Sequence, residues 1–237
     1  MSQADDEEYF DFMQGMDEWR YLKFPCECMR QCGSATQTMG AVLHFTDKDT
    51  FVTTQAIADA AQLPLRTTKR HLDKLAQCGW MTNEGRSKTR AGWTRRTATR
   101  TVTKAARKEL GEYTVYPRWM ECFAEWSEPL SWSSKALFSV ILSRVRGIQT
   151  GDDTEDFDTL EDLIVKHDSR FAFSFASIHE KTGLHSEAVV NAKRQLSRVG
   201  AIEWSQGMGV DMLTPTTGIL IRQATIDGKR IHEFVRA

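Results

Sequence analysis

Arg66, Thr67, Arg70 and Lys74 recur at helical spacing between Pro64 and Gly79, and Gln77 extends the row. On a helix that spacing brings them to one face. Thr68, Leu72 and Leu75 fall on the other face. An apolar face can hold such a helix to a core while the basic, hydrogen-bonding face points outward. That division suits a helix laid in a DNA major groove. An ordinary amphipathic helix with a solvated charged face has the same pattern.

A second basic set follows at once. Trp80-Met81 starts an extended segment, and Asn83-Glu84-Gly85 is a turn signal. The run from Arg86 to Lys104 then carries Arg86, Lys88, Arg90, Arg95, Arg96 and Arg100. Its later half alternates Thr with Arg or a small or apolar residue, as a strand does. Residues 51–110 hold 13 Lys+Arg against 4 Asp+Glu, a net of +9. The chain has 31 against 32, so the remainder carries 18 against 28, a net of −10. A near-neutral total thus hides a strongly basic segment, the electrostatic footprint of phosphate binding.

A third set is Cys26, Cys28 and Cys32, a C-x-C-x3-C cluster after Pro25. Thiolates this close are candidate ligands for zinc or an iron–sulfur cluster. A fourth ligand is missing nearby, and His44 and Cys78 qualify only if the fold brings them close. The expectation is therefore buried or half-exposed thiols, no metal and no cofactor.

The elements that must position these groups can be read in turn. Residues 33–46 form a helix with Met39, Val42, Leu43 and Phe45 on its apolar side. Thr53 or Thr54 caps a short helix through Ile57 and Ala61. Leu63-Pro64 ends it, and Pro64 suits the first turn of the next helix. Gly79 closes that helix. A helix-turn-helix followed by a basic two-stranded hairpin resembles the winged-helix DNA-binding domains of bacterial transcription regulators and of plasmid and phage replication initiators. The resemblance covers about residues 35–108 and speaks to fold more than to target.

The second half repeats the first. Shifted by 121 residues, Ile57 meets Ile178, Leu63 meets Leu184, Leu75 meets Leu196, Gly79 meets Gly200 and Met81 meets Ile202. Ser133 to Arg146 is then a first helix, Ser174 caps the next, and Ser186 caps a third helix through Val199. Ala201 to Ser205 is a strand. Gly218 to Ile226 and Lys229 to Val235 are strands joined by Asp227-Gly228, a two-residue hairpin signal. The outward face of the third helix carries Glu187, Asn191, Arg194 and Arg198, with Asn191 in the place of Arg70. Asn can read adenine, whereas a Glu near the helix start repels phosphate. An interaction or dimerisation module on the same scaffold is the other reading of this copy.

The domain layout expected is an acidic arm with the Cys cluster over 1–32 and a basic winged-helix domain over 33–110. An aromatic helical linker spans 111–132. A second winged-helix domain spans 133–237, with an acidic insertion at 147–170. Tyr9, Met13, Met16 and Trp19 mark a short amphipathic helix in the arm, and Trp119, Phe123 and Trp126 mark one in the linker. The acids of the insertion do not match a calcium loop. No Walker A loop, G-x-G-x-x-G, H-E-x-x-H or G-x-S-x-G occurs. The acidic N-terminus is unlike a signal or transit peptide. The most apolar run, Ala136 to Leu142, is too short to span a bilayer. Five cysteines point to a reducing cytoplasm.

The expectation is an α+β protein of two tandem winged-helix domains that binds double-stranded DNA and catalyses no chemistry. The resemblance implies a plasmid- or phage-type replication initiator, with a transcription regulator or a DNA-tethered partition factor as alternatives. A second copy of the chain, or a replication or transcription protein, is the other partner expected, and no membrane.

Overall fold

Thr53 and Ser174 stand 121 residues apart and do the same work. Each is extended in backbone and accepts a hydrogen bond from a backbone N–H three residues on, Ala56 to Thr53 Oγ1 at 3.0 Å and Ser177 to Ser174 Oγ at 3.1 Å. Such a cap satisfies one of the donors that a helix start leaves unpaired. The computed structural model describes residues 21–46, 53–84, 99–102, 112–117, 129–150, 171–207 and 209–216. It is an α+β fold of helices and small antiparallel sheets.

In chain order the elements are β1 (Tyr21–Pro25), α1 (Cys26–Cys32), α2 (Ala35–Thr46), α3 (Thr54–Ala61), α4 (Leu65–Gln77), β2 (Met81–Glu84), β3 (Thr99–Val102) and β4 (Tyr113–Pro117). There follow α5 (Trp132–Thr150), β5 (Ala172–Phe173), α6 (Phe175–Thr182), α7 (Ser186–Arg198), β6 (Ile202–Gln206) and β7 (Asp211–Pro215). Helices α3 and α4 reappear as α6 and α7 with every boundary displaced by 121 residues. Their ends match as well. Cys78 and Val199 both close their helices at φ −81° and ψ 2°. Gly79 and Gly200 follow with φ of 77° and 70°, a region that favours glycine. Trp80 N–H then reaches Leu75 O at 3.0 Å, and Ala201 N–H reaches Leu196 O at 2.9 Å.

The two helix pairs meet around a ribbon far from either in sequence. Strands β1 and β4 pair antiparallel from Tyr21↔Pro117 to Pro25↔Tyr113. Leu22 and Phe24 turn inward, and Lys23 between them is exposed, the alternation a half-buried strand requires. Phe24 stacks on Tyr116 with ring centroids 5.6 Å apart and leans on Trp132 at 5.5 Å. Helix α2 lies along β1, so close that a Cβ on Gly40 would stand 3.0 Å from Lys23 O. Helix α5 lies along β4, where Thr114 and Ser139 share a hydroxyl hydrogen bond of 2.8 Å and Val115 N–H donates to Ser143 Oγ at 3.3 Å. One continuous cluster of buried side chains runs through both halves.

Several expectations change. Asn83 and Glu84 are not a turn: β2 runs through Glu84 and pairs with β3, Asn83 facing Arg100 and Glu84 facing Thr99. Cross-strand pairing overrides the local turn preference. Helix α5 extends through Gly147 to Thr150, into the segment read as an insertion. The cap before α7 is His185, with no side-chain cap bond, and Ser186 is already helical. The three-stranded sheet has the order β5-β7-β6, and between its paired strands β6 and β7 Gly207 N–H bonds Val210 O at 2.9 Å. The strands expected over 218–235, like the arm helix and the 119–126 helix, lie outside the described residues.

The inward face of α7 also departs from its counterpart. Lys193 stands where α4 has Leu72, and both are buried. Its ammonium bonds Asp211 Oδ2 at 2.6 Å and sits 4.7 Å from the Trp204 ring centre, while Trp204 Nε1 donates to Asp211 Oδ1 at 3.0 Å. This trio ties α7 to both strands of its hairpin. Asp211→Ala leaves the ammonium buried without its counter-ion and is expected to destabilise by about 3–5 kcal/mol in urea unfolding. Lys193→Leu with Asp211→Asn, which removes both charges, is expected to cost clearly less.

Candidate nucleic-acid interface

Helix α4 buries Thr68, His71, Leu72 and Leu75 and leaves its opposite side to solvent. Arg66, Arg70, Lys74 and Gln77 are exposed and Thr67 is half-buried, so the helix brings these predicted side chains to one surface. Lys69 is also exposed on α4 and was missed by the sequence reading. Position 69 was legible, because it neighbours Arg66 at i+3 on the helix surface.

The inward side is held by an unusual polar contact. His71 places Nδ1 3.0 Å from Thr38 Oγ1 and Nε2 3.3 Å from Ser34 Oγ, joining α4 to α2 and to the turn before it. Burial, with Arg70 and Lys74 nearby, pushes its pKa below the usual histidine value. Gln37 on α2 donates to Ala61 O at 2.5 Å and thereby satisfies the last turn of α3. The helix pair is thus oriented by side chains of α2 that point away from the exposed face.

Helix α7 presents Glu187, Asn191, Arg194 and Arg198, all exposed. Asn191 occupies the position of Arg70 at the same distance from its helix start. Gln195, the counterpart of Lys74, is instead engaged: its Oε1 accepts from Ser134 Oγ at 2.6 Å and from Ser131 N–H at 3.0 Å. Glu187 lies in the first turn of α7, where α4 has no acid. The two faces are alike in frame and unlike in charge. Arg100 lies on β3, and Arg86, Lys88, Arg90, Arg95 and Arg96 lie outside the described residues.

The cysteine cluster occupies α1, and Cys26, Cys28 and Cys32 are buried. Cys28 and Cys78 both lie near enough to Cys32 to shift its titration, so the fold does bring Cys78 close. The neighbouring Cys28, followed by burial, raises the Cys32 pKa against the lowering effect of Cys78 and Lys74, while burial followed by the Glu112 carboxylate raises Cys26 to about 11. Cys26 and Cys32 thus favour the protonated thiol, whereas a metal ligand is a thiolate. Among the described residues no group of three His, Cys, Asp or Glu side chains is arranged to hold a metal ion. No described helix is long and apolar enough to cross a membrane.

Comparison with protein-family models, with curated proteins and with solved structures returns no match.

Two outcomes follow from this geometry. Because the folded pKa of His71 lies below its unfolded value, the unfolded chain takes up a proton first. Stability is therefore full above the unfolded value of about 6.5 and falls as pH drops through the folded one. Urea midpoints measured down a pH series should show this loss, and His71→Asn should flatten it. Elemental analysis of anaerobically purified protein should find no stoichiometric zinc or iron, and about one zinc per chain would overturn the protonated-thiol assignment.

Proposed function

We propose that this chain is a sequence-specific double-stranded DNA-binding protein built of two tandem winged-helix units, without catalytic activity. The observation that carries the reading is the repeated helix pair, whose second helix in each copy buries one side and exposes the other. In the first copy that exposed side holds Arg66, Lys69, Arg70 and Lys74. The order of elements after α4 supports it: a two-stranded ribbon β2–β3 follows the helix, and the sequence from 86 to 100 carries six Lys or Arg. In the second copy the order α5-β5-α6-α7-β6-β7 with sheet order β5-β7-β6 supports the winged-helix reading.

The helix supplies base contacts and the hairpin supplies phosphate contacts in this proposal. Arg70 and Asn191 are the leading base-reading residues of the two copies, with Arg194 and Arg198 beside the second. The mixed charge of α7 makes its copy the weaker anchor. The biological role proposed is initiation of replication on a plasmid- or phage-type origin. Targets made of several direct repeats beside an A·T-rich region support it, whereas a promoter-overlapping operator indicates a transcription regulator.

Selection of bound duplexes from a random library, followed by footprinting, tests the proposal, and failure to enrich any duplex would sink it. On the selected site Arg70→Ala is expected to cost about 1–3 kcal/mol and to relax preference at one or two base pairs. Replacing Arg95 and Arg96 together should weaken binding to cognate and scrambled duplexes alike and flatten the salt slope by about two units. Loss of cognate binding alone in the hairpin variant, with equal loss on both duplexes for Arg70→Ala, would reverse the two roles.

A further inference from the structure

Three glycines close the helices or turns of the two copies in nearly the same backbone conformation, and only one of them has a neighbour. Gly79, Gly183 and Gly200 have φ of 77°, 70° and 70°. A Cβ built on Gly79 or Gly200 meets nothing within 4 Å, whereas one on Gly183 would stand 3.0 Å from Arg30 Cα. Gly183 sits in the turn between α6 and α7. Its counterpart in the first copy is Gln62, which adopts the same left-handed region at φ 50° with a side chain in place. The backbone conformation alone therefore does not demand glycine at this turn. The close approach of α1 does.

Other contacts surround that approach. Arg30 donates through Nη1 to Glu180 O at the end of α6, and its Nε and Nη2 are held by Glu27 Oε2. Lys181 on α6 pairs with Glu112 Oε1, and Glu112 O accepts from Cys26 N–H at 3.0 Å, so the second copy is tied to the start of β4 as well. Helix α1 is itself bound to the first copy, since Gln31 Oε1 accepts from Trp80 Nε1 at 2.9 Å. A seam of direct contacts thus links the turn of the second helix pair to the end of α4.

We infer that the seam between α1 and the Gly183 turn is a ruler: it holds the exposed faces of α4 and α7 at one fixed separation, so that a single spacing of two DNA blocks satisfies both. Arg30, Lys181 and Gly183 are positioning residues in this device and touch no DNA. The inference about DNA rests on the reading proposed above. The mechanical part does not. Inserting two base pairs between the blocks displaces the second by about 7 Å and turns it by about 70° around the duplex axis. A rigid protein then engages one block only and loses the gain from linking two sites, about a hundredfold.

The mechanical part is tested on the free, full-length protein with spin labels attached through genetically encoded residues at Gln77 and Ser197, both exposed. The expected result is one distance peak no wider than the labels' own spread. Gly183→Asn combined with Lys181→Ala should shift or broaden it, because Asn tolerates the left-handed backbone yet brings a Cβ against Arg30. Gly200→Asn is the matched control, with the same φ and open space around it, and should leave the peak unchanged. A broad peak in the parent protein, or the same response to both glycine changes, overturns the inference. So does a peak that neither change moves. In the parent protein two added base pairs between the selected blocks should cut affinity about a hundredfold, and the seam variant should lose most of that dependence. Tolerance of the insertion by the parent overturns the ruler, whereas failure of every duplex to bind sinks the DNA reading and leaves the distance result to decide the seam.

Discussion

The pairing of β1 with β4 is the constraint on which the rest of the molecule depends. The two strands flank the first helix pair in sequence, and their ladder closes that whole segment into a loop. Closing a long loop costs entropy only logarithmically in its length, so a few strand hydrogen bonds and a stacked Phe24–Tyr116 pair suffice when apolar surface is buried with them. Both strands of the ribbon are then packed against. Helix α2 of the first copy takes β1, and helix α5 of the second takes β4. The ladder thus gives the two helix pairs a shared core, to which the contacts of α1 with α6 add.

Within that frame the two copies show how one backbone accepts different interiors. The caps, the helix lengths and the closing glycines coincide, because they answer the same unpaired N–H and C=O groups at the helix ends. The inward residues do not coincide. Leu72 fills its place by apolar burial, while Lys193 fills the matching place with an ion pair to Asp211 and the face of Trp204. A buried ammonium is tolerated there because a carboxylate and an aromatic ring replace the water it loses. Outward, Arg70 and Asn191 share a position and differ in chemistry, which is the freedom that a capped and packed helix leaves to its exposed side.

Helix α1 shows how burial changes the meaning of a motif. Three cysteines at short spacing are candidate ligands in isolation, though the sequence offers no fourth ligand beside them. In the fold they face the core from a seven-residue helix, where burial raises the pKa of Cys26 and the neighbouring Cys28, with burial, raises that of Cys32. On the outer face of the same helix Glu27 holds Arg30, Arg30 reaches Glu180 O on α6, and Gln31 accepts from Trp80 just after α4. A segment that reads as a terminal arm is thereby part of the joint.

The sequence by itself determined what is local and periodic. The spacing of Thr68, Leu72 and Leu75 sets which side of α4 is buried, and the cap residues Thr53 and Ser174 set where α3 and α6 begin. The 121-residue repeat was legible because apolar positions and closing glycines answer to helix geometry, which a sequence shift preserves. Most of the α4 and α7 surface residues were legible for the same reason. The alternation of Leu22 and Phe24 around Lys23 was a readable strand signal, but the partner of a strand is not a local property. Tertiary structure alone decided that β1 pairs with β4, that Glu84 continues a strand, that α5 runs on to Thr150 and that Arg30 meets the Gly183 turn. Each of these joins residues far apart in the chain, or lets a cross-strand or packing partner outweigh a local preference. Their energies depend on the neighbour and not on the residue's own type.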